Sequence, residues 1–296
     1  MKGFGVRHLC ALAVMLALAS VALSPVPATR AALSGRTSNA ATLSSGSLSA
    51  PTALGVSIGT GGGTAVTLGW TATATPWATG ERVYRRLTTT GAFVKVAEFA
   101  NLTTVTYADD PGTSDVYYVV RSYYTNANGG NWESRDSNQV KPPAHAAAIA
   151  IVNTLVPMKP DTGDQLVLTF SERMEPSSFG LCATGGNSGT DLALNATTPN
   201  TIVAGGENLT IGTIDLGATG YFTIGGTALN STCTLNGAGT VLTITLGTVL
   251  NGGVVTVPHT ATYRPDLPAM PTLRLTTFLG EPLDLAVHPT TTGVLF

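Results

Sequence analysis

The chain has 296 residues, with 15 Lys and Arg against 17 Asp and Glu and a formal net charge of −2. Without a basic excess to neutralise phosphates, nucleic acid is excluded as the main partner. Abundant Thr, Val and Gly with sparse charge, and no long run of apolar residues at helical spacing, argue for strands and turns throughout.

Residues 1–31 read as a secretory signal, which places the mature protein outside the cell or at its surface. Lys2 and Arg7 precede an apolar core from Leu9 to Leu23, shorter than the ~20 residues of a membrane span. Small residues allow cleavage after Ala28 or Ala31, and Ala31 is taken as the boundary. Loss of Lys2, Arg7 and Arg30 moves the net charge to about −5. Cys10 leaves with the signal, and no transmembrane segment is expected in the mature chain.

A Ser, Thr and Ala-rich tract (32–48) follows, either trailing loosely or adding a short edge strand. The span 49–142 then carries alternating runs. Val66, Leu68 and Trp70 alternate with Thr67 and Gly69, and Val116, Tyr118 and Val120 alternate with Tyr117, Val119 and Arg121. Period two places each set on one face of a strand. Gly59-Thr60-Gly61-Gly62-Gly63 joins two expected strands and lacks the strand-to-helix setting of a phosphate loop.

The order Ala50-Pro51-Thr52-Ala53-Leu54, Val66-Thr67-Leu68-Gly69-Trp70, Val83-Tyr84-Arg85, Thr106-Tyr107-Ala108-Asp109, Tyr117-Tyr118-Val119-Val120-Arg121, Ser134 and Ser137-Asn138-Gln139-Val140 resembles a bacterial fibronectin type III module. The resemblance covers about a third of the chain. It implies a seven-strand sandwich in which Trp70 packs the core from the second strand. The chain departs from the pattern at Val116, where many members place a tyrosine that braces a corner. No Arg-Gly-Asp tripeptide lies between Asn126 and Trp132, which removes the integrin reading.

Val140-Lys141-Pro142-Pro143 marks a boundary, because consecutive prolines remove ladder donors and stiffen a connection. A second domain is expected over 145–276, with a C-terminal tail over 277–296. Leu166, Leu168 and Phe170 alternate, and further strands are expected at Leu209–Ile211, Tyr221–Ile224, Val241–Leu246 and Val254–Val257. The opening Gly163-Asp164-Gln165-Leu166-Val167-Leu168-Thr169-Phe170-Ser171-Glu172-Arg173-Met174 resembles the immunoglobulin-like repeats of large bacterial surface and exported proteins. The whole is expected to be all-β, two tandem immunoglobulin-like β-sandwiches after a cleaved signal peptide.

Two cysteines remain after the signal, Cys182 and Cys233, an even number suited to a disulfide in a secreted chain. Some relatives of the second domain are associated with calcium, which directs attention to Asp161, Asp164, Glu172 and Glu175. No dense Asp-x-Asp-x-Asp loop is present, and a solvated acidic rim is the simpler expectation. No metal and no cofactor is expected.

Catalytic patterns are thin. His145 falls in the linker, His259 and His288 are scattered, and no serine sits in a Gly-x-Ser-x-Gly elbow. Glu172 and Glu175, three residues apart at a strand end, do not form opposing walls of a hydrolytic cleft. The chain is expected not to be an enzyme. Trp77, Tyr123, Tyr124 and Trp132 fall at strand ends or loops, where rings stack on sugars or anchor a protein partner. The expected function is binding or adhesion to polysaccharide or another surface protein. The alternatives are a structural subunit that self-associates by strand addition, and an accessory module of a secreted hydrolase system.

Overall fold

A computed structural model describes residues 46–182, 192–198, 201–206, 209–218, 220–266 and 275–291. The expected signal peptide and nearly all of the 32–48 tract lie outside the described residues. No helix among the described residues is long and apolar enough to cross a membrane. Residues 47–296 form one compact unit.

The first seven strands are β1 (Thr52–Ile58), β2 (Val66–Thr71), β3 (Gly80–Arg86), β4 (Val94–Phe99), β5 (Thr106–Asp109), β6 (Tyr117–Thr125) and β7 (Asn131–Glu133). They form a three-stranded sheet, β1-β2-β5, and a four-stranded sheet, β4-β3-β6-β7. Their inward faces follow the sequence alternation. Val66, Leu68 and Trp70 of β2 pack with Val83 of β3 and with Tyr118 and Val120 of β6, all buried. This is a fibronectin type III-like sandwich, with Trp70 in the core on the second strand.

The chemistry of the closing Ser and Asn residues becomes visible here. Asn138 accepts from Leu54 N at 2.9 Å and donates Nδ2 to Leu54 O at 2.7 Å, so an amide side chain occupies both backbone groups of β1. Ser134 and Ser137 do the same work beside β6. Their Oγ atoms accept from Ser122 N and Val120 N at 3.0 and 2.9 Å, while their own N–H groups donate to the carbonyls of the same two residues. The irregular run after β7 thereby satisfies backbone groups that would otherwise be orphaned.

The second half contains β8 (Ala146–Val152), β9 (Gln165–Phe170), a 3-10 helix (Pro176–Cys182), β10 (Leu192–Thr198), β11 (Thr201–Gly206), β12 (Leu209–Asp215), β13 (Phe222–Leu235), β14 (Val241–Thr245), β15 (Thr248–Gly252) and β16 (Thr262–Arg264). β13 has 14 residues and serves two layers. Its start pairs with β10 and β15, while Thr232–Leu235 pairs with β14, which continues through β9 to β8. Leu166, Leu168 and Phe170 face a core shared with Leu242, Ile244, Phe179 and Tyr263. Chain and side-chain alternation therefore agree on β9 and β14.

Val254–Val257, expected as a strand, is irregular. Gly253 approaches Gly220 so closely that a Cβ would meet its carbonyl at 2.2 Å. Val255 N donates to Met158 O instead of entering a ladder, and only Val255 of the four is buried. Residues 275–291, spanning most of the expected tail, return along both halves. Leu283 and Val287 are buried, Asp284 N donates to Ala144 O, and His288 N donates to Thr60 O.

Candidate functional site

The aromatic residues at the end of the first sandwich are positioned by two tight connections. After β6, Asn126 Oδ1 accepts from Asn128 N and Gly130 N at 3.0 and 2.7 Å. Gly129 supplies the left-handed backbone, at φ 79°, that reverses the chain. This turn brings Trp132 of β7 directly opposite Tyr124 of β6. Their rings stack with centroids 5.5 Å apart and planes at 17°.

Trp77 arrives from the connection between β2 and β3. Thr79 N donates to Tyr123 O at 2.8 Å, and Thr125 N donates to Thr79 Oγ1 at 2.9 Å, which pins the connection to the end of β6. Gly80 lets β3 begin there, because a Cβ would meet Phe99 O at 1.9 Å. The Trp77 ring meets Tyr124 edge-on at 5.4 Å and 83°. Trp77 and Trp132 remain 42% and 54% exposed. Three of the four expected binding residues thus meet in one contiguous cluster, with two indoles open to solvent.

Tyr123 does not join them. One residue away on β6, it points to the outer sheet face, where it is 3% exposed beneath the Arg82 guanidinium at 4.0 Å. Period two separates it from Tyr124. Around it lies an arginine-aromatic ladder that single-residue inspection of the sequence missed. Arg121 covers Tyr84 at 4.3 Å, and Arg86 lies over Tyr117 and Phe93 at 5.0 and 4.7 Å. The alternation of Arg82, Tyr84 and Arg86 on β3 against Tyr117, Arg121 and Tyr123 on β6 is the signal that would have located it.

Glu133 joins the ladder to the cluster. It accepts from Arg82 Nη1 at 2.6 Å, from Arg121 Nη1 at 3.2 Å and from the Tyr84 hydroxyl. Burial pushes its carboxyl up, but the bonds from Tyr84, Arg82 and Arg121 outweigh burial and hold it below its ordinary value. Arg82 Nη1 also reaches Asn131 Oδ1 at 3.3 Å. Both neighbours of Trp132 are therefore tied to β3, so the indole sits on a short strand braced from beneath.

The acidic residues of the second half do not converge. Asp164 is fully buried and accepts from Thr154 N, Thr154 Oγ1 and Asp161 N at 2.7, 3.0 and 2.7 Å. Asp161 accepts from Val156 N at 3.0 Å and pairs with Lys159 at 3.2 Å. Glu175 accepts from the Ser177 backbone and hydroxyl at 3.2 and 3.0 Å. Glu172 is 5% exposed and bonded to Lys141 at 3.0 Å. The solvated acidic rim is thus corrected for Asp164 and Glu172, whose carboxylates hold turns and the junction between halves. No group of three or more potential metal ligands occurs among the described residues. A cleft of about 280 Å³ opens beside this junction, between Thr88 and Asp115 on one side and Arg173 and Phe278 on the other.

Cys233 lies in the second core at 1% exposure. The Cys182 side chain lies outside the described residues.

No family model matches this chain, and no curated protein matches it. Among solved structures, a Fn3-like protein from Clostridium thermocellum is 26% identical over 33% of this chain and 93% of its own, with a TM-score of 0.26. The FN1-FN3 domains of chicken CNTN1 are 11% identical over 72% of this chain and 74% of that one, with a TM-score of 0.23. Titin kinase with its flanking domains is 14% identical over 42% of this chain and 28% of that one, with a TM-score of 0.25. The first sandwich is defined by its two sheets, β1-β2-β5 and β4-β3-β6-β7, and by the core between them.

Proposed function

We propose that this chain is a secreted, non-enzymatic surface or matrix protein whose first sandwich binds polysaccharide or another surface protein through Trp77, Tyr124 and Trp132. The observation that carries the reading is the mutual contact of these three rings with both indoles exposed. An indole left in water forgoes the stabilisation that burial would give, yet here two are held partly exposed and in fixed orientation by their contacts with Tyr124. Ring faces of this kind stack on sugars or fill pockets in a partner. In this reading the N-terminal signal exports the chain, and the second half is a bacterial immunoglobulin-like repeat that spaces or presents the first.

The test is retention of the purified mature protein on insoluble polysaccharides and isolated cell walls. Trp77→Ala and Trp132→Ala are expected to abolish retention, and Tyr123→Phe to leave it intact. Retention unaffected by either tryptophan variant sinks the site assignment.

A structural-subunit reading is favoured by one feature. Gly63 N covers the Ala147 carbonyl at the start of β8, but beyond it β8 pairs only with β9 among the named strands of the described residues, and its sequence, Ala-Ala-Ala-Ile-Ala-Ile-Val, has neither charge nor proline. Such an uncharged edge invites another strand. Concentration-dependent assembly that a Ala150→Lys change abolishes separates this reading from glycan binding, which that change leaves untouched.

A further inference from the structure

Trp77, Tyr124 and Trp132 stand at one end of the first sandwich, and four segments build that end. Residues 72–79 and 124–132 carry the rings, 100–105 joins β4 to β5, and 47–51 leads into β1. The segment before β1 is pinned beside the Trp77 connection. Ser49 N donates to Thr75 Oγ1 at 2.9 Å, and Ser49 O accepts from Thr73 Oγ1 and Ser122 Oγ, both at 2.6 Å. Asn101 Oδ1 holds the β4–β5 connection by accepting from Thr103 N and Thr104 N at 2.9 and 2.7 Å. The second half of the chain meets the opposite end of the sandwich, where Gly63 N donates to Ala147 O and Ser114 N donates to Ser171 O.

None of these four segments contains Lys, Arg, His, Asp or Glu. Arg121 and Glu133, on the same two strands as Tyr124 and Trp132, point to the other sheet face and bond one another there, because period two sets them opposite the rings. Glu81 is buried beneath, its carboxylate occupied by Trp70 and Thr73. The ring faces are therefore rimmed by amides and hydroxyls, with Asn101 and Asn128 exposed. Such groups both donate and accept hydrogen bonds and carry no charge. Sites for protein partners ordinarily add arginine to their aromatic anchors, whereas here the arginines are turned to the opposite face.

The rings also have a defined mutual orientation. Tyr124 lies at 17° to Trp132 and at 83° to Trp77, so the two indole planes are inclined by at least 83 minus 17, or 66°. Tyr124 covers one face of Trp132 from β6, and β7 is the last strand of its sheet, so the other indole face opens beyond the sheet edge. Rings inclined in this way cannot lie together on one flat surface.

From the charge-free rim and the inclined indoles we infer that this end takes an uncharged glycan as a single separated chain, and not the flat face of a crystalline polysaccharide. The inference rests on the binding role proposed above and names the ligand class for the same rings. Trp132 stacks on one sugar through its open face, Trp77 meets the chain from a second direction, and the surrounding amides and hydroxyls bond the sugar hydroxyl groups. Insoluble polysaccharides and cell walls are then held through their disordered chains.

The test compares probes on the full mature chain. Affinity electrophoresis and calorimetry use mixed-linkage β-glucan, xylan and galactomannan as soluble neutral glycans and polygalacturonate as the anionic one, while pull-downs use microcrystalline cellulose and chitin as flat faces. At least one soluble neutral glycan should bind, with a Kd that changes less than about twofold between about 0.05 M and about 0.5 M salt, because no charge pair is there to be screened. Trp132→Ala should weaken that binding about tenfold or more, as for a central aromatic anchor. Retention on the crystalline probes that Trp77→Ala abolishes overturns the single-chain inference and leaves the binding role standing. Tighter binding to polygalacturonate, or affinity that falls steeply with salt, overturns the uncharged ligand. Cell-wall retention through the tryptophans with no glycan bound assigns the site to a protein partner and overturns the inference as well. Binding to none of these probes, or binding unaltered in both tryptophan variants, removes the binding role and the inference together. The wild-type comparisons decide the question even if a variant does not fold.

Discussion

The Glu81 carboxylate, fully buried in the first sandwich, accepts the indole N–H of Trp70 at 2.5 Å. Its other oxygen accepts from Thr73 N at 2.7 Å. Glu81 and Ser122 stand opposite one another across β3 and β6, two residue pairs beyond the Val83–Val120 core pair and so on the same face. The carboxylate therefore caps the core where β2 ends and the Trp77 connection begins. Removing it strands two buried donors. Glu81→Ala is expected to cost about 2–4 kcal/mol, from the two lost bonds and the donors left unsatisfied. Urea unfolding followed by Trp70 fluorescence measures it, and a change near zero would show that neither bond supports the fold.

Tyr118 takes over the corner position that Val116 leaves without a hydroxyl. Its ring is in the core, and its hydroxyl donates to Asp109 Oδ2 at 2.7 Å, joining β6 to β5 in the facing sheet. Burial and then the Asp109 charge push its phenol above the ordinary range, so it remains a donor. Arg85 pairs with the same carboxylate oxygen at 2.7 Å. Tyr118→Phe should cost about 1.5–3 kcal/mol, as expected for a bond to a charged acceptor. A shift in denaturation midpoint without a change in slope is the expected readout.

Lys141 bridges Glu172 and Glu281, residues that reach it from the turn just after β9 and from the C-terminal segment. Burial pulls its ammonium down, but hydrogen bonds to Glu281 and Glu172 outweigh burial and leave it raised. Lys141→Met leaves the Glu172 carboxylate buried without its cation, at a cost of about 3–5 kcal/mol. Adding Glu172→Gln to that variant should recover part of the loss, and a double-mutant cycle measures the coupling. Strict additivity would refute the bridge.

Glu133 and Glu172 give opposite pH dependence. Glu133 is held below its ordinary value of 4.5, so its contribution is complete above that value and is lost as pH falls. Glu172 is raised, by burial first and against the pull of Lys141, so the folded state binds its proton more tightly than the unfolded chain does. Stability attributable to Glu172 therefore falls as pH rises from 4.5 through its folded value. Glu133→Gln should flatten the acid limb of a stability profile, and Glu172→Gln the limb above it. Unchanged limbs would contradict these assignments.

Cys182 and Cys233 are expected to pair under oxidising conditions, closing a loop of roughly 50 residues. In the chain-entropy model that closure is worth about 4 kcal/mol. Non-reducing peptide mapping identifies the bond, and a reducing agent should lower the unfolding midpoint. Two free thiols in protein purified without reducing agent would exclude it.

Alternation along the chain was enough to place Trp70, Leu68, Tyr118 and Val120 inside the first sandwich and Leu166, Leu168 and Phe170 inside the second half. The same rule separates Tyr123 from Tyr124, although both read as aromatic residues near a strand end. Val254–Val257 shows where a short apolar run misleads: β propensity favours a strand, but the close approach of Gly253 to Gly220 and the bond from Val255 to Met158 take the backbone elsewhere. Propensity concerns the residue, while ladder formation needs a neighbour at the right spacing.

Local sequence by itself determined the all-β class, the inward faces of the clearest strands, and the candidate aromatic set, because period two and turn chemistry act over a few residues. Only the tertiary structure decided that Trp77, Tyr124 and Trp132 meet while Tyr123 turns to the arginine ladder. Only it decided that His145 sits between two carbonyls and that Lys141 finds Glu281, 140 residues away. Those relationships depend on how separate strands register and where the chain returns, and no local pattern encodes a partner that far along it.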